Sequence, residues 1–242
     1  MTSPERSHEI LAKLIVSSAT GPMSLPSALC ISLAKDLPMT GAAVVLQSTA
    51  GLDRVVAATD GLAVTAEHLQ FEFGEGPGVD AVRQDGPVLR SDLRTTSGEW
   101  PLFAPAATAA GIEAAFAFPL HVGGIRLGVL DLYRDTPGAL IDGILSEALA
   151  YADAATAVLL HLQALSRPSG DLHPQLTGFA ADRAEIHQAT GMISAQASVT
   201  LVDALLLLRA RAYSTSRTML EVSRDVLDRQ ERFYPDGGSG NR

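Results

Sequence analysis

Along the N-terminal part of the chain, apolar residues switch between a helical and a strand-like period. Residues 5–19 recur at helical spacing, with Ile10, Leu11, Leu14 and Ile15 on one side. Residues 26–37 read as a second helix that Pro38 stops. Residues 42–47 (AAVVLQ) and 54–58 (RVVAA) are rich in strand formers, with a Gly-Asp turn region between them. Residues 64–69 predict a short helix. After a loop-rich middle, Trp100-Pro101 opens a helix through Ala110. Residues 113–120 and 125–134 flank the turn Val122-Gly123-Gly124 and predict a hairpin, with Ile125, Leu127, Val129 and Tyr133 alternating. Residues 142–162 close this part as a helix with a stripe of Leu145, Leu149, Ala152, Leu159 and Leu162.

This order predicts one antiparallel sheet with helices on one face, the other face carrying loops and a pocket. Residues 165–177 (LSRPSGDLHPQLT) collect Pro, Gly and Ser between two helical patterns and read as a linker. Beyond it, three short amphipathic helices follow. The first faces inward with Phe179, Ile186, Ile193 and Ala197, bordered by Asp182 and Ala189. The second does so with Leu201, Ala204, Leu205, Leu208 and Ala212, and the third with Met219, Leu220, Ser223, Val226 and Leu227. Thr200 with Asp203 and Thr218 with Glu221 are capping-box patterns for the second and third. The fold class expected is therefore α+β in two domains, residues 1–164 and 178–233, with a disordered tail over 234–242.

Composition narrows the picture. The 242 residues are 47% apolar and 19% charged, which excludes a disordered chain. The near-apolar runs fall short of the ~20 residues of a bilayer span. The first ten residues carry Glu5, Arg6 and Glu9 and no apolar core. A soluble, cytoplasmic protein without membrane contact is expected. One cysteine, Cys30, forbids an internal disulfide and a cysteine-cluster metal site. The net charge of −9 offers no global attraction for nucleic acid, yet the acidity is uneven. Residues 1–175 hold 10 Lys+Arg against 19 Asp+Glu, whereas residues 176–232 hold seven of each.

Catalytic signals are weak. Gly74-Glu75-Gly76-Pro77-Gly78 lacks the Lys of a phosphate loop, and Pro77 blocks one amide, so turn geometry explains these glycines better. The six histidines show no paired ligand spacing, and no Ser sits in a nucleophile elbow. Cys30 lies in a helix pattern where a small buried hydrophobe is the default. No enzyme, no cofactor and no metal are expected.

Two resemblances add to this. FGEGPGVDAVRQDGPVLRSDL and FAFPLHVGGIRLGVLDLYR resemble the glycine-rich loop and the closing hairpin of GAF domains, over residues 5–162. That resemblance implies either a sensory domain with a small-molecule pocket near Phe71, Phe73, Asp92, Trp100 and Phe116 or a purely structural, dimerising one, with the first and last helices of the domain suited to dimerisation. RAEIHQATGMISAQASVTLVDALLLLRARAYSTSRTMLEVSRDVL resembles the ANTAR domain of bacterial transcription antiterminators. Its pattern is met by Ala189, Gly191, Met192 and Ile193, then Ala204, Leu208, Arg209 and Ala212, then Arg217, Leu220, Val222 and Ser223. It departs where a lysine is usual, at Thr190, and at Ser223, where alanine is usual and the spacing is shifted.

The ANTAR resemblance implies binding of RNA stem-loops in nascent transcripts by a homodimer. The expected contacts are Arg183, Arg209, Arg211, Arg217 and Arg224 on phosphates, His187 and Gln188 on base edges, and a close backbone approach at Gly191. A mid-helix glycine costs about 1 kcal/mol relative to alanine, so a position that keeps one invites a reason. The middle helix also has a second apolar stripe, Val202, Leu206 and Tyr213, which meets either the third helix or a partner. A DNA-binding helix-turn-helix and a protein-interaction scaffold are the alternatives. The first would need a polar, basic recognition helix that is absent here.

Overall fold

The computed structural model describes residues 3–19, 23–48, 51–59, 61–165, 173–176 and 181–234. The chain divides into two compact units, one built on residues 1–47 and 54–179 and the other on residues 48–53 and 180–242.

In the first unit α1 (Ser3–Ala19) and α2 (Leu25–Asp36) precede β1 (Gly41–Ser48) and β2 (Gly51–Ala58). Ser24 caps α2 by accepting from the Ser27 amide, and the helix ends at Leu37, whose extended backbone is what a following proline demands. Then come α3 (Leu62–Phe73), α4 (Pro77–Gln84), β3 (Val88–Arg90), α5 (Phe103–Ala109), β4 (Ala114–Val122), β5 (Ile125–Arg134) and α6 (Asp142–Ala164). The strands form one sheet in the order β2-β1-β5-β4-β3. β1 with β5, β5 with β4 and β4 with β3 all pair antiparallel.

Alternation along the strands sorts side chains between two faces. Ala42, Val44, Leu46, Ala114, Phe116, Phe118, Leu120, Leu130 and Leu132 join α1, α2 and α6 in one apolar core. Arg6 binds Glu147 through both Nε and Nη2, tying α1 to α6. Tyr151 Oη donates to Asp36 Oδ2 at 2.8 Å and meets Ser32 Oγ, tying α2 to α6.

The opposite face departs from expectation. It is not a loop-covered surface: α3 and α4 pack on it, α5 packs on α3, and Phe71, Trp100 and Phe103 are buried. The short helix predicted over 64–69 is a twelve-residue helix that carries Phe71 and Phe73. Within α6 the buried stripe is Ala148, Tyr151, Ala152, Ala155, Leu159 and Leu162, while Leu149 is 40% exposed. Ile15 on α1 is 61% exposed. By length and composition alone α6 could cross a bilayer, against the expectation of no such stretch; here its buried side belongs to the core.

The stretch expected as a linker holds a 3-10 turn, Pro174–Leu176. Leu176 is buried in the first unit's core, and Gln175 Oε1 accepts from the Leu25 amide.

The second unit is three helices, α7 (Ala181–Ala197), α8 (Leu201–Ser214) and α9 (Met219–Leu227), each packed on the other two. Its core is Ile186, Ala189, Ile193, Ala197, Ala204, Leu205, Leu208, Ala212, Met219, Val222 and Val226. Thr218 and Glu221 form the full capping box of α9, and Thr200 caps α8 by accepting from the Asp203 amide. Leu201 was expected inside and is 46% exposed, because it sits in the first turn, outside the wedge between α7 and α9. Phe179, Asp182's side chain and the expected tail beyond Tyr234 lie outside the described residues.

Candidate functional site

The second face of the first unit's sheet carries polar groups that no single motif announces. Asp131 and Tyr133 lie two apart on β5 and so share this face, with Ala43, Ala115 and Ala117 as their cross-strand neighbours. These alanines let the covering helices lie close. From α3, Glu67 and Gln70 reach the same point, three apart on one helix side. All four polar residues are buried.

The hydrogen bonds form a chain. Gln70 Nε2 donates to Tyr133 Oη at 2.8 Å and to Asp131 Oδ2 at 3.3 Å. Tyr133 Oη donates to Glu67 Oε1 at 2.7 Å. The Gly78 amide donates to Gln70 Oε1 at 2.8 Å, which joins α4 to the cluster. Asp131 Oδ1 is buried with no hydrogen-bond partner. Burial, and then the nearby Glu67, push the Asp131 carboxyl well above its usual range. Burial, with Asp131 and Glu67 beside it, raises the Tyr133 phenol likewise.

The glycine-rich stretch shapes this cluster and cradles no phosphate. Gly74 ends α3 in the left-handed conformation, and Gly76 (φ 129°) precedes α4 with Gln70 Oε1 2.6 Å from where a Cβ would stand. A Cβ on Gly78 would stand 2.6 Å from Asp131 Oδ2. Glu75 Oε2 accepts from the Leu102 and Phe103 amides and so caps α5. Asp80 Oδ2 accepts from Trp100 Nε1 at 3.1 Å, and Trp100 meets Phe103 edge-on.

The expected pocket residues are only partly brought together. Phe71 and Trp100 lie beneath the second-face helices, and Phe73 is half-buried at the end of α3. Phe116 is a correction: strand alternation turns it to the apolar core on the other face, where Arg134 lies 5.5 Å above its ring. Asp92 caps a 3-10 turn by accepting from the Arg94 amide, and the Arg94 guanidinium beside it holds its carboxyl below the usual range. Glu67, Gln70, Asp131 and Tyr133 were missed. The available signal was Asp131, a charge flanked by Leu130 and Leu132 within the otherwise apolar run 127–132.

The cluster has no nucleophile ready to react. The Cys30 thiol is wholly buried, and burial pushes it up to about 12, so it stays protonated at neutral pH. Among the described residues no group of three or more His, Cys, Asp or Glu is placed to hold a metal ion.

In the second unit three expected contact arginines sit in ion pairs. Arg211 pairs with Glu231 and lies over the Phe233 ring, Arg217 pairs with Asp225 at 2.7 Å, and Arg224 pairs with Glu185 at 2.8 Å. Arg183, His187 and Arg209 are partly exposed, and Gln188 is exposed. Thr190 is buried, its hydroxyl donating to the Ile186 carbonyl at 2.7 Å, so position 190 faces the unit's own core. Gly191 is exposed, and a Cβ there would meet nothing within 4 Å. The second stripe of α8 does not meet α9: Val202, Leu206 and Tyr213 are 52%, 61% and 69% exposed.

No family model matches the chain, and no curated protein does. Among solved structures it is similar to the GAF domain of a phosphoenolpyruvate-protein phosphotransferase from Coxiella burnetii (14% identity, 66% of this chain and 96% of that one, TM-score 0.49). It is also similar to the GAF domain of an Acinetobacter phosphoenolpyruvate-protein phosphotransferase (12% identity, 68% and 96%, TM-score 0.49). A third is free methionine-R-sulfoxide reductase from Neisseria meningitidis in complex with its substrate (16% identity, 63% and 87%, TM-score 0.45).

Proposed function

We propose that the chain is a two-part regulator of transcript elongation. Its first unit is a GAF-type sensing and dimerising module, and its second is an ANTAR-type module that binds RNA stem-loops. The observation that carries the second half is Gly191. Nothing in its own unit fills the space a side chain there would occupy, so intramolecular packing does not account for keeping a mid-helix glycine. Close approach by another helix or by a nucleic-acid backbone would, and the ANTAR resemblance favours the second. The face around it is Ala184, Gln188 and Ala195, all exposed.

The module carries equal numbers of basic and acidic residues, and Arg211, Arg217 and Arg224 sit in ion pairs, so its affinity has a shallow salt dependence. Two copies come from dimerisation of the first unit, whose Ile15, Val16 and Leu160 are apolar side chains exposed on α1 and α6.

The test is a gel shift of the full chain against a stem-loop RNA pool with randomised loops and against duplex DNA. Retention of the RNA alone supports the reading, and Gly191→Leu abolishes it while the fold remains intact by circular dichroism. No uptake of any stem-loop overturns it. The exposed stripe of Val202, Leu206 and Tyr213 favours a second reading, in which the three helices bind a protein helix. In that case Leu206→Ser removes the partner and Gly191→Leu does not.

A further inference from the structure

The buried cluster on the second face has a property that sensing or RNA binding does not require. Two carboxyl groups from different elements, Glu67 of α3 and Asp131 of β5, meet in a space walled by Tyr133, Gln70 and the Gly78 backbone. We propose that Glu67 and Asp131 share one proton, and that this proton latches α3 and α4 onto β5, so that the cover over this face loosens when the proton leaves.

The groups around the pair determine its behaviour. From β5 come the Asp131 carboxyl and the Tyr133 phenol, which donates its hydrogen to Glu67. From α3 comes the neutral Gln70 amide. From α4 comes only a backbone N–H, since the Asp80 carboxylate is turned to Trp100 and Arg83. From α2, the Cys30 thiol lies within electrostatic reach of Glu67 and is itself protonated. Two adjacent ionised carboxylates in a buried site repel each other and lose their hydration, whereas one shared proton turns that repulsion into a hydrogen bond. The raised Asp131 carboxyl has the sign this requires.

The lever is equally local. Gln70 bonds Asp131, Tyr133 and the first turn of α4 at once, so disturbing the pair disturbs the seat of both covering helices. Gly74 and Gly76, both at positive φ, flank the α3–α4 corner.

The sign follows from linkage. A carboxyl raised in the closed form holds its proton there and gives it up in the open form at the ordinary carboxylate value. Closure is therefore strongest in weak acid. It weakens tenfold per pH unit as the pH climbs from the ordinary carboxylate value to the pair's own raised value, and then levels off.

The experiment is hydrogen exchange of the full chain between pH 5 and 9, each rate divided by the intrinsic rate at that pH. Peptides spanning 62–84 are expected to lose protection with rising pH by up to tenfold per unit, and peptides spanning 142–164 to hold theirs. Asp131→Asn mimics the protonated acid and flattens the dependence of 62–84. Glu67→Gln does the same from the other partner and serves if the first variant fails to fold. Carboxyl carbon NMR of the wild-type chain over the same pH range gives an independent reading, a buried carboxyl that keeps its proton above the ordinary carboxylate range and that Asp131→Asn removes. Protection of 62–84 that does not vary with pH in the wild-type chain, or no carboxyl that keeps its proton above that range, overturns the proposal.

Discussion

The two faces of one sheet are built from alternate residues of the same strands, yet they are held by different forces. On the face covered by α1, α2 and α6, Phe116, Phe118, Leu130 and Leu132 meet apolar helix residues, and the polar ties (Arg6 to Glu147, Tyr151 to Asp36) lie at the margin. On the other face, Asp131 and Tyr133 lie in the second half of β5, and the covering helices are seated by hydrogen bonds aimed at them. Apolar packing is non-directional and tolerates small shifts, whereas a buried hydrogen-bond chain works only in one arrangement. The first face thus supplies stability, and the second supplies a position-sensitive, protonation-sensitive seat.

Truncation separates the two most strongly. Phe118→Ala empties part of the apolar core and should cost about 3–5 kcal/mol in denaturant unfolding, with the pH dependence of stability unchanged. Gly78→Ala acts on the other face, pushing a methyl into the Asp131 carboxyl that Gln70 holds in place. A loss of about 1–3 kcal/mol is expected, with increased exchange of the α4 amides. Tyr133→Phe removes only a hydroxyl, yet it strips Glu67 of a donor and Gln70 of an acceptor. The expected cost is about 1–3 kcal/mol, and a neutral result would show the cluster to be rearrangeable. Trp100→Phe should cost least on this face, about 1 kcal/mol, by removing the indole bond to Asp80.

Much of the architecture could be read from the residues. The helical spacing of Ile10 and Leu14, the hairpin around Gly123-Gly124, the caps at Thr200 and Thr218 and the small buried Cys30 all belong to local patterns. The residues that fall elsewhere than expected do so for separate reasons. Phe116 was placed in the pocket because it lies near the right motif, but a shift of one residue in a strand reverses the face. Asp92 looked like a ligand residue and is a local cap, since Arg94 two residues on takes both its oxygens. Thr190, where the resemblance has lysine, is a core residue. The partners of Arg211, Arg217 and Arg224 in the second unit, Glu231, Asp225 and Glu185, are 20, 8 and 39 residues away.

The order of residues by itself determined most of the helices and strands outside the loop-rich middle that holds α4 and β3, how the acidic charge divides between the two parts, and that one cysteine offers no disulfide. These follow from short-range sterics and periodicity, which operate within a few residues. Only the tertiary structure decided that Glu67 and Asp131 meet, that Gln70 joins three elements, that α3 and α4 close the second face, and that Gly191 faces open space. Such outcomes depend on which residues arrive at one point from positions as far apart as 67 and 131, where burial then makes each polar contact costly to leave unmade.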